Sequence, residues 1–166
     1  MASAEDHLKE AFAGESQANR KYLAFAEKAD KEGYAQAARL FRAAAAAETI
    51  HAHNHLRALK AIGSTEDNLK EAVKGESHEF KSMYPEMVEQ AKSEGHSAAE
   101  RSFRFALEVE KVHGHLYEEM LENLEEAGKE DYPYYVCHVC GHTVGKEAPD
   151  TCPICGTKGS MFKRID

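Results

Sequence analysis

Two four-residue stretches decide the fold: Glu48-Thr49-Ile50-His51 and Glu110-Lys111-Val112-His113. Each reads Glu-x-x-His inside a run whose apolar residues recur every three and four positions, the helical period. Residues three apart share a helix face, so each stretch presents a carboxylate and an imidazole to one point. The two stand 62 residues apart (110 minus 48). The same gapless offset matches Glu32-Gly33 with Glu94-Gly95, Arg39 with Arg101, Phe41-Arg42 with Phe103-Arg104, His53 with His115 and Tyr22 with Tyr84. So many identities at one offset imply a duplicated helix pair.

Glycines and capping residues punctuate the surrounding chain. Runs begin near Ser3, Tyr34, Ser64 and Ser97 and close at Gly33, Gly63, Gly95 and Gly128. Ser64-Thr65-Glu66-Asp67 opens the third run, and the capping box Ser97-Ala98-Ala99-Glu100 opens the fourth. Four helices of roughly 28 residues follow, each about 40 Å long. Two similar hairpins of this kind make an all-α four-helix bundle over residues 1–130.

Two Glu-x-x-His helices plus a glutamate from each remaining helix form a donor set for a di-iron or di-manganese pair. On the first helix Glu15 lies on an otherwise apolar stripe with Leu8, Ala11, Ala18 and Ala26. The third helix offers Glu76 and Glu79, again three apart. Neither keeps the repeat offset: Glu76 lies 61 residues beyond Glu15 and Glu79 lies 64, against 62 for the tyrosines. A π-bulge between Glu76 and Tyr84, absorbing one residue, would restore the register.

A lone Glu-x-x-His is more often a solvated charge pair, and two copies at equivalent repeat positions reverse that judgement. His53, His55 and His115 read as surface histidines, and Glu108 points away from Glu110 into solvent. Five inward glutamates must be neutralised by cations or take up protons. Oxygen-rich ligation with one imidazole per metal suits iron or manganese and argues against a closed structural zinc site.

Beyond residue 130 the composition changes. Three of the four prolines, Pro133, Pro149 and Pro153, fall there, and Gly128 to Tyr135 reads as a linker. Cys137-His138-Val139-Cys140-Gly141 and Cys152-Pro153-Ile154-Cys155-Gly156 use all four cysteines in a tetrahedral metal-ligand pattern. Spacing alone favours a structural zinc ribbon over a four-thiolate iron centre. A disulfide reading is poor without a secretion signal.

The 166 residues, 42% apolar and 30% charged, suffice for one core and a small appended module. Neither a membrane span nor a signal peptide is visible, so a soluble, cytoplasmic protein is expected. Four basic and four acidic residues cancel over 131–166, which places the whole net charge of −8 on residues 1–130. Such acidity repels phosphate backbones and anionic lipid and excludes nucleic acid and membrane as main partners.

From about Ser3 to Asp166 the chain resembles the rubrerythrin family, a ferritin-like di-iron bundle followed by a small, β-rich, metal-bound rubredoxin-like domain over 131–166. The resemblance rests on Glu15, Glu48-x-x-His51, Glu76-x-x-Glu79 followed by Met83-Tyr84-Pro85, Glu110-x-x-His113 and the two Cys-x-x-Cys-Gly knuckles. It implies that Glu48 and Glu110 bridge two irons, that Glu15, Glu76, Glu79, His51 and His113 complete their shell, and that no catalytic residue is needed beyond these ligands. It implies a third iron at Cys137, Cys140, Cys152 and Cys155, with zinc or manganese as substitutes. It also implies that on reduction one iron loses Glu79 and gains His51, as the softer Fe(II) favours nitrogen and lower negative charge. The implied activity is a peroxidase that reduces hydrogen peroxide to water in oxidative-stress protection, with electrons entering through the four-cysteine iron from a rubredoxin or a flavin reductase. Iron oxidation and storage is the alternative, and the four-cysteine module discriminates against it. With no Trp in the chain, shielding of that iron falls to Tyr134, Tyr135 and Phe162.

A head-to-tail homodimer is expected from lengths. The eighteen residues from Glu110 to Gly128 carry the chain about 27 Å from the di-iron site, and the seven-residue linker Lys129 to Tyr135 spans at most about 25 Å. Return to the chain's own site is then barely within reach.

Overall fold

The computed structural model describes residues 2–127 and 129–166, so the helix stop expected at Gly128 lies outside the described residues. Helix α1 (Ala4–Lys31) starts at Ser3, whose hydroxyl accepts from the Asp6 N–H while the Asp6 carboxylate accepts from the Ser3 N–H. Such a reciprocal cap contributes about 1 kcal/mol. Gly33, at φ +84°, supplies the left-handed residue that ends it.

Helix α2 (Ala35–Ala58) stops earlier than the expected Gly63. Lys60 takes the left-handed conformation at φ 53°, and the N–H groups of Lys60 and Ala61 donate to the carbonyls of Arg57 and Leu56. The terminal carbonyls are therefore satisfied before the glycine is reached. Ala38, Ala45 and Ala52, spaced seven apart, are buried with Ala26 and Ala29 of α1. These small side chains let the two backbones approach, and the buried Asn19 amide crosses the gap to donate to Ala45 O at 2.6 Å and Thr49 Oγ1 at 2.8 Å.

The third run begins as expected. Ser64 caps α3 (Thr65–His78) in a reciprocal box with Asp67. A π-turn then occupies Glu79–Met83, its closing N–H on Tyr84 donating to Glu79 O, before α4 (Tyr84–Ser93) resumes α geometry. The residue that breaks the repeat register is absorbed there, as the offset arithmetic requires.

Helix α5 (Ser97–Glu122) departs from expectation at both ends. Its N-cap is His96, whose Nδ1 accepts from the Ala99 N–H at 3.3 Å, so Ser97 is the first helical residue and not the cap. The helix ends at Glu122, and a separate turn, α6 (Leu124–Ala127), follows Asn123. An imidazole nitrogen can cap as a hydroxyl does, and the sequence pattern does not reveal that substitution.

Strands β1 (Tyr134–Cys137), β2 (Thr143–Gly145) and β3 (Phe162–Ile165) form an antiparallel sheet in the order β2-β1-β3. Val136 pairs with Thr143 and Cys137 with Phe162.

By its contacts the chain divides into Met1–Gly63 and Ser64–Asp166. The first unit is the α1–α2 hairpin. The second runs from α3 to β3 and includes the four-cysteine module, because β2 packs on α5. The contact division thus falls at Gly63, a different boundary from the composition change near residue 130. No helix is long and apolar enough to cross a membrane among the described residues.

Candidate metal centres

Among the described residues three clusters of metal-ligating side chains are assembled, each with its donor atoms within 4.8 Å of one another. In the first unit, α1 and α2 bring together Glu15, Glu48 and His51. His51 Nδ1 lies 2.8 Å from Glu48 Oε2 and 3.9 Å from Glu15 Oε1. In the second unit, α3 and α5 bring together Glu76, Glu110 and His113. His113 Nδ1 lies 2.6 Å from Glu110 Oε2 and 3.9 Å from Glu76 Oε1. The duplicated sequence thus produces the same triad twice.

Surroundings separate the two histidines. The His51 side chain is 52% exposed, and its Nε2 has no protein partner among the described residues. His113 is 27% exposed, and its Nε2 sits 3.0 Å from Thr143 Oγ1 of β2. Gly114 lets Phe80 of the π-turn lie against this stretch, since a Cβ at that position would come within 3.1 Å of Phe80 Cε1.

Electrostatics favour a cation at the second triad. The Glu76 carboxyl is pushed up to about 7 by its burial first, then by the charges of Glu110 and Glu79. Burial and the Glu110 charge also raise Glu79, which stands beside the triad without being a member of it. Tyr84, the residue directly after the π-turn, is raised by burial and by Glu79, Glu110 and Glu76. Carboxylates that resist ionising together, with an imidazole aimed at the same point, fit an oxygen-preferring cation.

The third cluster is Cys137, Cys140, Cys152 and Cys155. Cys137 and Cys155 sulfurs are 3.6 Å apart, as are those of Cys140 and Cys152. Four sulfurs at a metal–sulfur length of about 2.3 Å in a tetrahedron stand about 3.8 Å apart, so the set fits a four-thiolate ion. Burial pushes the Cys140 thiol up. Cys155, held down to about 6 against its desolvation, is steadied by the hydroxyl and N–H of Thr157. Phe162 meets His142 edge-on at 6.2 Å, and His142 Nδ1 is buried without a partner among the described residues.

A family model described as Rubrerythrin matches residues 6–121, and one described as Rubrerythrin, rubredoxin-like domain, matches residues 135–163. The chain belongs to the rubrerythrin family. It is 40% identical to Rubrerythrin-2 of Clostridium acetobutylicum, covering 95% of this chain and 94% of that one. It is 34% identical to Nigerythrin of Nitratidesulfovibrio vulgaris, covering 93% and 83%. Among solved structures, "Fully reduced state of nigerythrin (all ferrous)" matches at 32% identity over 99% of this chain and 88% of that one, with a TM-score of 0.60.

Rubrerythrin character therefore accounts for the helical region, the small sheet and the cysteine knuckles. The separation of the two family matches follows the composition change near residue 130, while contacts group the knuckles with α3–α5. Of the eleven expected ligands, ten fall in the three clusters and Glu79 lies outside them. His53 and His115 are exposed, His55 is half-buried, and Glu108 pairs with Lys111 at 2.7 Å. Sequence reading missed Asn19, Phe80 and Thr143. The alanine run 43–47 of α2 is a usable signal, because a seam that small brings the backbones close and a polar residue such as Asn19 facing it must be satisfied.

Proposed function

We propose that this rubrerythrin is a non-haem di-iron peroxidase. Glu15, Glu48, His51, Glu76, Glu79, Glu110 and His113 would hold two irons, and the four cysteines would hold a third. When bound, the metals supply the two electrons that, with two protons, convert one hydrogen peroxide into two waters. The observation that carries the reading is the pairing of two identical Glu-x-x-His triads with a four-thiolate cluster whose sheet hydrogen-bonds to the second triad's histidine. Storage of iron alone has no evident use for a thiolate cluster in that position. The similar nigerythrin structure is described as all ferrous, which supports iron as the metal.

The chain's own residues serve the reaction by holding charge. The raised Glu76 carboxyl can carry a proton near neutrality and release it when a cation takes its place. We place the activity in the cytoplasm, with a rubredoxin or a flavin reductase as donor. Because α5 ends at Glu122 and the module touches His113 of its own chain, chain length does not require a head-to-tail partner. A homodimer is proposed on different grounds: Phe25, Leu40 and Ile50 of the first unit are exposed.

The decisive experiment mixes anaerobically reduced, iron-loaded protein with hydrogen peroxide or with dioxygen and follows the visible spectrum. Faster reoxidation by peroxide is expected. Equal or faster oxidation by dioxygen would assign the protein to iron oxidation and storage instead.

A further inference from the structure

We propose that Thr143 is a positioning residue that locks His113 and, through it, clamps the four-cysteine module onto helix α5. The inference rests on the reading of Glu76, Glu110 and His113 as metal ligands. His113 Nδ1 faces Glu110 and Glu76, which leaves Nε2 to be satisfied elsewhere. It meets Thr143 Oγ1 at 3.0 Å, and that oxygen lies 3.0 Å from Gly141 O. A carbonyl can only accept, so the single hydroxyl proton of Thr143 goes to Gly141, and the hydroxyl oxygen accepts from His113 Nε2–H. Protons run one way along the chain, from imidazole to hydroxyl to carbonyl.

This direction has a chemical consequence. A proton held at Nε2 makes Nδ1, now hydrogen-bonded to Glu110 Oε2 at 2.6 Å, the nitrogen a metal would take in exchange for that bond where Glu76 and Glu110 converge, so the threonine selects the ligating tautomer and fixes the ring plane. The acceptor carbonyl belongs to the residue after Cys140, which ties the ring to the backbone of a cysteine knuckle. His113 and Thr143 line a cavity of about 320 Å³ together with Leu69, Leu116, Tyr117, Met120 and Tyr134. Among the described residues His51 Nε2 has no equivalent partner, so one imidazole of the duplicated triads is held at both nitrogens and the other at Nδ1 alone.

The test uses Thr143→Val, which keeps the β-branched shape opposite Val136 and removes only the hydroxyl, and Thr143→Ser, which restores it. In zinc-loaded protein, which is diamagnetic, the His113 Nε2–H resonance is expected to exchange slowly with water and that of His51 quickly. In Thr143→Val the slow exchange is lost, and zinc affinity at the carboxylate–histidine triads falls about tenfold. The four-cysteine ion keeps its affinity, and Thr143→Ser recovers both properties. Fast exchange at His113 in the unaltered protein would overturn the proposal without any variant needing to fold, as would an unchanged affinity in Thr143→Val. Neither readout involves peroxide, so a protein that failed as a peroxidase could still pass, and the reverse.

Discussion

At the scale of single residues, Glu76 shapes the pH behaviour of the metal-free protein, with Glu79 shifted in the same direction. Glu76 is harder to ionise in the folded chain than in the unfolded one, its carboxyl standing at about 7 against an ordinary 4.5. Such a group holds its proton longer when folded, so stability falls as pH rises through that window and is flat below it. The thermal midpoint of metal-free protein is expected to drop between about pH 4.5 and pH 7, and Glu76→Gln is expected to flatten the drop. Metal uptake should release protons in the same window, measurable in a weakly buffered titration. Glu79 and His51 offer a second prediction. Glu79 stands outside the triads, and His51 Nε2 has no partner among the described residues; on the proposed function the two would exchange as ligands when the metal is reduced. Fe(II) favours nitrogen and lower negative charge. Glu79→Ala is therefore expected to weaken Fe(III) retention more than Fe(II) retention, and equal losses would refute the exchange. Asn19 acts on stability instead: Asn19→Ala is expected to cost about 1–3 kcal/mol in chemical denaturation, through the lost bridge to Ala45 and Thr49.

At the scale of elements, the π-turn is the feature most open to test. Lys81 is exposed within Glu79–Met83, and deleting it would return the segment to α geometry. One residue is worth about 100° of helix rotation, so the deletion swings Glu76 and Glu79 off the face shared with Tyr84. The variant is expected to keep its helical circular dichroism and its four-cysteine ion while losing metal at Glu76, Glu110 and His113. This turn is legible in the amino-acid sequence alone, because an offset of 61 between Glu15 and Glu76 and 62 between Tyr22 and Tyr84 leaves one residue to place. The α1 and α3 starts are legible for a similarly local reason, since their caps are closed by residues three apart. The end of α2 and the start of α5 are not. Lys60 does the work expected of Gly63, and His96 that expected of Ser97, and in both cases an uncommon residue type meets a geometric need.

At the scale of the whole molecule, the ligand types can be read from spacing, but the meeting of sheet and helix cannot. The contact between Thr143 and His113 joins residues 30 apart in sequence, and no periodicity encodes a docking of that kind. Sedimentation is the measurement that checks the proposed dimer, with a species of twice 18.5 kDa expected and dissociation when Leu40 and Ile50 are both replaced by charged residues. The repeat carries one more implication. A hairpin copied end to end makes two equal ligand sets, and equality ends at the π-turn, because Glu79 corresponds to Ala18 at the local offset of 61 and has no carboxylate twin. One added residue therefore breaks the symmetry of the inherited pair. The two iron nuclei are expected to be spectroscopically distinct, giving two Mössbauer doublets of equal area where a faithful duplication would give one.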